Sequence, residues 1–362
     1  METLSAIKPL INWLPNANSP LLIAGPCSAE TEEQVLETAK QLAEFTTAQI
    51  FRAGVWKPRT RPNSFEGMGE EALKWIVKAG KQTGMLTMVE IANAHHAEKA
   101  LEAGIDILWI GARTTVNPFY VQEIADALIG TNIPVMVKNP VNPDLQLWLG
   151  AFERLHKVGI NKLVAIHRGF SSSTETVYRN NPDWAIPIEL MRIAPKLPII
   201  CDPSHIGGKR DLLHQISQKA LDLGMNGLMI ETHPNPDQAL SDAQQQITPC
   251  RLKELMDGLV LRKKASNDSE FNNKLVEMRA EIDAIDRMIM ETIARRMKVI
   301  EEIGKYKKLN SITILQLERW TQILQNTRNY ADIIGLDREF IISVYNQIHL
   351  ESIKLQTEVM NE

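Results

Sequence analysis

All 18 prolines in the chain lie at or before Pro249, and of its 19 glycines only Gly304 and Gly335 follow Gly258. Proline and glycine interrupt helices, so the chain beyond Gly258 is free to form long ones and the chain before it is not. The polar segment RKKASNDSE, Arg262 to Glu270, marks the joint. The expected organisation is an N-terminal lead at 1–20, a first domain at 21–258, a linker at 259–272 and a helical domain at 273–362. A chain of 362 residues is also too long for one ordinary core.

Before the joint, short apolar runs alternate with amphipathic stretches. The runs are LLIAG (21–25), IFRAG (50–54), LTMVE (86–90), ILWIG (107–111), VMVKN (135–139), LVAIH (163–167), IICD (199–202) and GLMIE (227–231). Between them lie segments such as TEEQVLETAKQLAEF and GGKRDLLHQISQKALDLG, whose apolar residues keep helical spacing. The runs are apolar on both faces, as a buried parallel sheet requires. Eight such units predict a TIM-type (β/α)8 barrel. A doubly wound open sheet is the alternative, but no GxGxxG follows the first run.

Composition narrows the function classes. A net charge of -4 gives no global attraction to nucleic acid or an anionic membrane. No apolar run approaches the roughly 20 residues that span a bilayer. Three cysteines, Cys27, Cys201 and Cys250, are too few and too irregular for a secreted disulfide framework. The expectation is a cytoplasmic protein with reduced thiols and no nucleic-acid or membrane partner.

In such a barrel the C-terminal strand ends carry the chemistry. Here they carry Cys27, Arg52, Lys57, Glu90, Arg113, Lys138, His167, Arg168, Asp202, His205 and Glu231, with Asp242 in the last loop. Cys27, His205, Glu231 and Asp242 offer sulfur, nitrogen and oxygen donors, a mixed set suited to a divalent first-row metal. Taken singly each has an ordinary reading: a packed thiol, a core histidine, a surface carboxylate. The cations point to reactants bearing phosphate and carboxylate. Cys201, inside a run, is expected in the core, and His95 and His96 at the surface.

GPCSAE, RAGVWKPRTRP, GAR, VKNP, HRGF, DPSHIGGKR and IETHPNPDQALSD occur in the order seen in 3-deoxy-D-arabino-heptulosonate 7-phosphate (DAHP) synthases. Over about residues 21–258 the chain resembles the shorter type I group of that family. The resemblance implies condensation of phosphoenolpyruvate with erythrose 4-phosphate, the entry step of the shikimate pathway. It implies one divalent metal ion on Cys27, His205, Glu231 and Asp242, Mn2+ ahead of Fe2+, Co2+ or Zn2+. It assigns Arg113, Lys138 and Arg168 to phosphoenolpyruvate with Lys57 nearby, and Arg59 and Thr60 to the aldose phosphate. Arg52, His167 and Asp202 join this substrate-binding set, and Lys57 and Lys138 are the catalytic cations. The family motif usually continues KPRT with Ser, where this chain has Arg61. Octulosonate 8-phosphate synthases share the barrel but typically lack KPRT.

After the joint, Leu275, Met278, Ile282, Ile285, Ile289, Ile293, Met297, Ile300 and Ile303 trace one helical face. Two further helices are expected at about 314–330 and 337–360. A three-helix unit with so long a stripe calls for a partner chain. Arg279 and Arg296 are 17 residues apart, about 25 Å along a helix, whereas Arg296 and Lys307 lie about 16 Å apart on nearly one face. Arg279 therefore joins the other two only from an antiparallel partner, which predicts a homodimer or a higher assembly.

MRAEIDAIDRMIMETIARRMKVIEEIGKYK, followed by LERW and ESIKLQ, is similar to the all-helical chorismate mutases over about 273–362. The resemblance implies rearrangement of chorismate to prephenate, with Arg279, Arg296, Lys307 and Gln356 catalytic and Arg319 and Ser352 binding. Gln316 and Trp320 stand where that family commonly has Asp and Glu, and the Glu usually hydrogen-bonds a substrate hydroxyl. DAHP synthases of the group it resembles often carry a separate sensor domain; with only about 20 residues before the first strand here, the resemblance makes the mutase domain the candidate prephenate sensor for the barrel. A weak helical domain serving only dimerisation or regulation is the alternative.

Overall fold

The computed structural model describes residues 4, 6–14, 20–57, 65–263 and 265–361. They form two compact units, Met1–Lys264 and Ala265–Glu362. In the first, the eight apolar runs are strands within a residue of their expected bounds. They are β1 Leu21–Gly25, β2 Ile50–Ala53, β3 Leu86–Ile91, β4 Ile107–Ile110, β5 Val135–Lys138, β6 Leu163–His167, β7 Ile199–Cys201 and β8 Gly227–Glu231. They close in chain order into a parallel barrel, with β1 paired to β8 (Gly25 opposite Glu231) as well as to β2. Closure rules out the open sheet. It also brings two strand-end donors, from β1 and β8, side by side.

The helices between the strands are α1 Glu32–Phe45, α2 Glu70–Thr83, α3 Ala94–Ala103, α4 Ala112–Thr115, α5 Pro118–Ala127, α6 Leu145–Lys157, α7 Ala185–Ile193, α8 Pro203–Gly207, α9 Leu213–Asp222 and α10 Pro249–Asp257. Side-chain caps fix several starts: Thr31, Asn93, Asn117, Asp144 and Thr248 each accept from a backbone N–H of the first turn. Two apolar shells hold the barrel together. One lies between strands and helices and contains Cys201. The other fills the barrel interior with Ile23, Ile50, Met88, Trp109, Met136, Ile166, Ile200 and Met229, and Leu10 and Leu14 of the lead pack into it. Burial of each such leucine stabilises by about 2 kcal/mol.

The second unit is helical: α11 Ser269–Leu309, α12 Leu317–Ile334 and α13 Arg338–Asn361. Asp268 caps α11, and Gly335, at φ 71°, ends α12 in the left-handed turn that glycine favours. At 41 residues α11 is about 60 Å long. Its companions cover only part of it. Met278, Ile282, Ile285 and Ile289 stay exposed, and among the described residues the buried positions of the unit are Gly304, Ala331, Ile342, Ser352, Gln356 and Val359. No helix among the described residues is long and apolar enough to cross a membrane.

Candidate active sites

At the C-terminal mouth of the barrel, donor atoms of Cys27, Glu231 and Asp242 lie within 4.8 Å of one another. Cys27 Sγ is 3.4 Å from Asp242 Oδ2. Burial pushes the Cys27 thiol up to about 12, with the Glu231 charge adding to it. Burial also works to raise Glu231, but the charges of His205, Arg52 and Lys57 outweigh it and hold the carboxyl below its ordinary value. Asp242 is held well below the carboxylate range in the same way by His205, Arg179 and Lys57.

The carboxylates are aimed by outer partners. Arg52 Nη1 donates to Glu231 Oε1 at 2.6 Å, and Gln245 Nε2 to Glu231 Oε2 at 2.6 Å. Arg179 Nη1 donates to Asp242 Oδ1 at 3.0 Å and to Gln245 Oε1 at 2.7 Å, so one guanidinium ties both carboxylates together. Asp242 adopts φ 47°, a left-handed backbone that a side chain other than glycine rarely takes. A sulfur and two carboxylates facing one point, each oriented from behind, fit a divalent ion.

His205 reaches this group along one edge only. Its Nε2 lies 3.8 Å from Glu231 Oε1, but His205 is not among the donors that all lie within 4.8 Å of one another. It sits on α8, whose start Asp202 caps through His205 N, and its Nδ1 lies 2.8 Å from Asp202 Oδ2. Asp202 thereby leaves Nε2 toward Glu231, the arrangement in which a carboxylate orients a metal-binding imidazole.

Beside the donors opens a cleft of about 240 Å³, lined by Lys57, Arg113, Lys138, Arg168 and Arg179 together with His205, Asp242 and Glu90. Lys57 Nζ donates to Cys27 Sγ at 3.1 Å. Lys138 Nζ is 2.9 Å from Asp202 Oδ2. Arg168 is clamped by Asn139, which accepts from its backbone N–H, and by Asn180, whose Oδ1 accepts from Nη1 at 2.7 Å. Burial, with the Arg179 and Arg113 charges, pushes the Arg168 guanidinium down to about 10. A cation crowded by cations is stabilised by an incoming anion.

Three expected substrate-binding residues lie beneath this cleft instead of lining it. Arg52 is 1% exposed, bound to Glu231, with its guanidinium carbon 4.7 Å from the Trp109 ring centre. Asp202 is buried; burial would raise its carboxyl, but His205 and Lys138 hold it well below the usual range. His167 is buried between Phe170 and Trp184, and burial, with the Arg168 charge, pushes its imidazole down to about 3. The strand end was legible for each; whether the side chain faces the mouth or the floor was not. Arg59 and Thr60 fall outside the described residues. His96 departs from the surface expectation: it is half-buried and stacks on Trp56 at 4.0 Å. Arg179, Asn139, Asn180, Gln245 and Trp109 escaped the sequence reading. All but Asn139 and Trp109 lie in loops away from strand ends, and no periodicity marks them.

In the helical unit, Arg296 Nη1 donates to Ser352 Oγ at 2.7 Å, joining α11 to α13. One turn along α13, buried Gln356 donates to the Ser352 carbonyl, and among the described residues its Oε1 has no partner. Gly304 of α11 faces Gln356, and a Cβ there would just reach contact with Gln356 Cγ at 3.4 Å. Lys307, one turn on, donates to the Ile314 carbonyl at 2.5 Å, and burial lowers its ammonium. Trp320 stacks on His349 with ring centres 3.8 Å apart and planes 5° from parallel. Arg319 is exposed and bound to Gln322 of its own helix, and Arg279 is exposed on α11; neither joins the group.

Residues 15–265 match the family model of the DAHP synthetase I family, and residues 278–357 that of chorismate mutase type II. The chain is 37% identical over 236 residues to a phospho-2-dehydro-3-deoxyheptonate aldolase of Thermotoga maritima, covering 65% of this chain and 67% of that relative. A crystal structure of DAHP synthase from the same organism is 34% identical with a TM-score of 0.58, over 66% of this chain and 67% of that one. A 2-dehydro-3-deoxyphosphooctonate aldolase of Legionella pneumophila strain Corby is 27% identical over 263 residues, 66% of this chain and 89% of the relative.

Proposed function

The chain belongs to the DAHP synthetase I family and carries a chorismate mutase type II domain, and from that premise we propose how its two enzyme activities are carried out. The observation that carries the synthase reading is the meeting of three metal-suited donors with a cleft lined by Lys57, Arg113, Lys138 and Arg168. Cys27, Glu231 and Asp242 would hold one divalent ion, with His205 as the fourth ligand. When bound, that ion supplies Lewis-acid polarisation of the sugar-phosphate aldehyde. Arg113, Lys138 and Arg168 bind the phosphate and carboxylate of phosphoenolpyruvate and set its C3 toward the aldehyde carbon, a gain in orientation. The C3–carbon bond forms, water adds at C2 and the C2–O bond to phosphate breaks. The same cations stabilise the departing charge. Lys57, on the cleft wall, can hold a proton at Nζ for the new alkoxide.

In the helical domain no acid or base is needed, because the reaction is a rearrangement within one molecule. Arg296 and Ser352 hold a carboxylate of chorismate in the reactive conformer. Lys307 and Gln356 stabilise charge developing on the breaking ether oxygen. Arg279 completes the site from a second copy of the chain, since its own Arg296 is about 25 Å away. Prephenate bound in this domain slows the synthase, which requires that it bind two states of the chain unequally.

The test is to assay the intact chain for both reactions. Phosphoenolpyruvate with erythrose 4-phosphate should turn over, and with arabinose 5-phosphate should not. EDTA should abolish the condensation and spare the mutase; EDTA-resistant condensation would overturn the metal assignment. A synthase rate indifferent to bound prephenate would remove the sensing role.

A further inference from the structure

Trp320 stands where the chorismate mutases this unit resembles commonly have a glutamate that bonds a substrate hydroxyl, so that contact needs another residue in this chain. We propose that His349 supplies that contact as a substrate-binding residue, reading the ring hydroxyl of chorismate from a position held by Trp320. This rests on the reading of Arg296, Ser352 and Gln356 as the mutase site.

Three helices converge on His349. On α13, residues 349, 352 and 356 follow one another at three- and four-residue steps, so His349 shares a face with Ser352 and Gln356. From α11, Arg296 bonds to Ser352, and its charge acts on the His349 ring. From α12, the Trp320 indole lies flat against the imidazole. A stacked ring has one face covered and its edge free, and both imidazole nitrogens are on that edge. Among the described residues neither of them makes a hydrogen bond. The rings are also only half-buried, so the edge is open to a ligand.

The exchange is chemically sound. A glutamate accepts a hydrogen bond from the hydroxyl, and a neutral imidazole accepts at one nitrogen equally well while donating at the other. It does so without adding negative charge beside a substrate that already has two carboxylates. Burial and the Arg296 charge both lower the His349 pKa, so the ring is neutral at physiological pH. The other groups on this face, Trp320, Ser352 and Gln356, are uncharged. Trp320, too broad for the glutamate's task, positions the imidazole.

A role in packing alone makes a different prediction, which separates the two. His349→Phe keeps a flat ring for Trp320 and loses the nitrogens; His349→Gln keeps the polar contact and loses the ring. With chorismate on the intact chain, the Phe variant should lose about tenfold in kcat/KM, the scale of one hydrogen bond, and the Gln variant no more than about threefold. With an analogue lacking the ring hydroxyl, wild type and the Phe variant should react alike. A Phe variant as active as wild type, or a loss equal for chorismate and analogue, would overturn the proposal. Arg296→Ala is run alongside. If it retains full mutase activity the site itself is misplaced, and if it alone fails, the site stands and only the role of His349 falls.

Discussion

In the barrel unit the interior is filled first and the site rests upon it. Trp109, buried among Ile107, Met136 and Ile166, supports Arg52, which supports Glu231. In the helical unit the small buried set overlaps the proposed site: Ser352 and Gln356 are among the few covered positions, while most of the apolar stripe of α11 faces outward. A closed barrel can hold charged groups in place because every strand edge is already paired. Three helices cannot enclose as much, so their polar groups are held by one or two bonds each and by whatever covers the stripe.

The sharpest way to break that contrast is Cys27→Ser. If the two sites are independent, synthase turnover and bound metal should fall by more than the roughly 10–100-fold typical of losing a partner behind a ligand. Mutase activity should remain, with both assays and metal content measured on one preparation. Next in size is Gln356→Glu. A glutamate donates only when protonated, so mutase activity should fall about a hundredfold at neutral pH and recover toward acid pH. An unchanged pH profile would remove Gln356 from the reaction.

Acid stability separates the units in a third way. Folding keeps His167 neutral down to about 3, whereas the unfolded chain protonates it near 6.5. Between these values the unfolded state binds more protons, so stability falls as the pH drops below about 6.5. By pH 5 the loss is on the order of 2 kcal/mol. Calorimetry should show the barrel transition moving down over this range and His167→Asn flattening the slope; an equal slope in the variant would assign the effect elsewhere. The smallest effect is expected from Arg179→Ala. Freeing one oxygen of Asp242 and the amide of Gln245 should weaken metal binding about tenfold, read by titration with Mn2+, without altering the mutase.

The fold was legible because each strand is a doubly apolar run with a chemistry-bearing residue at or shortly after its end, and because proline and glycine all but stop where the long helices begin. Cys27 and Glu231 were legible for the same reason, since Glu231 ends β8 and Cys27 follows β1 by two residues, and closure makes those strands neighbours. Arg179 and Gln245 were not. They meet only because two loops, far apart in the chain, fold over one carboxylate pair, and nothing local encodes that meeting. Arg52 and His167 show the opposite limit: a charge near a strand end marks proximity to the mouth, and one step of the pleat decides whether it faces the substrate or the core. In the helical unit Ser352 and Gln356 were named by the resemblance to chorismate mutases and not by any spacing, and the His349–Trp320 stack joins two helices whose relative rotation no spacing reveals.

Asp242 carries a cost that reaches beyond catalysis. At φ 47° its backbone is better suited to glycine or asparagine, and either exchange would ease the strain while removing a charged carboxylate from the metal-suited cluster. Selection for thermal robustness and selection for turnover therefore pull this codon in opposite directions. A directed-evolution campaign scored only on heat tolerance would be drawn to replace Asp242 early, and would enrich for well-folded barrels that have lost their chemistry.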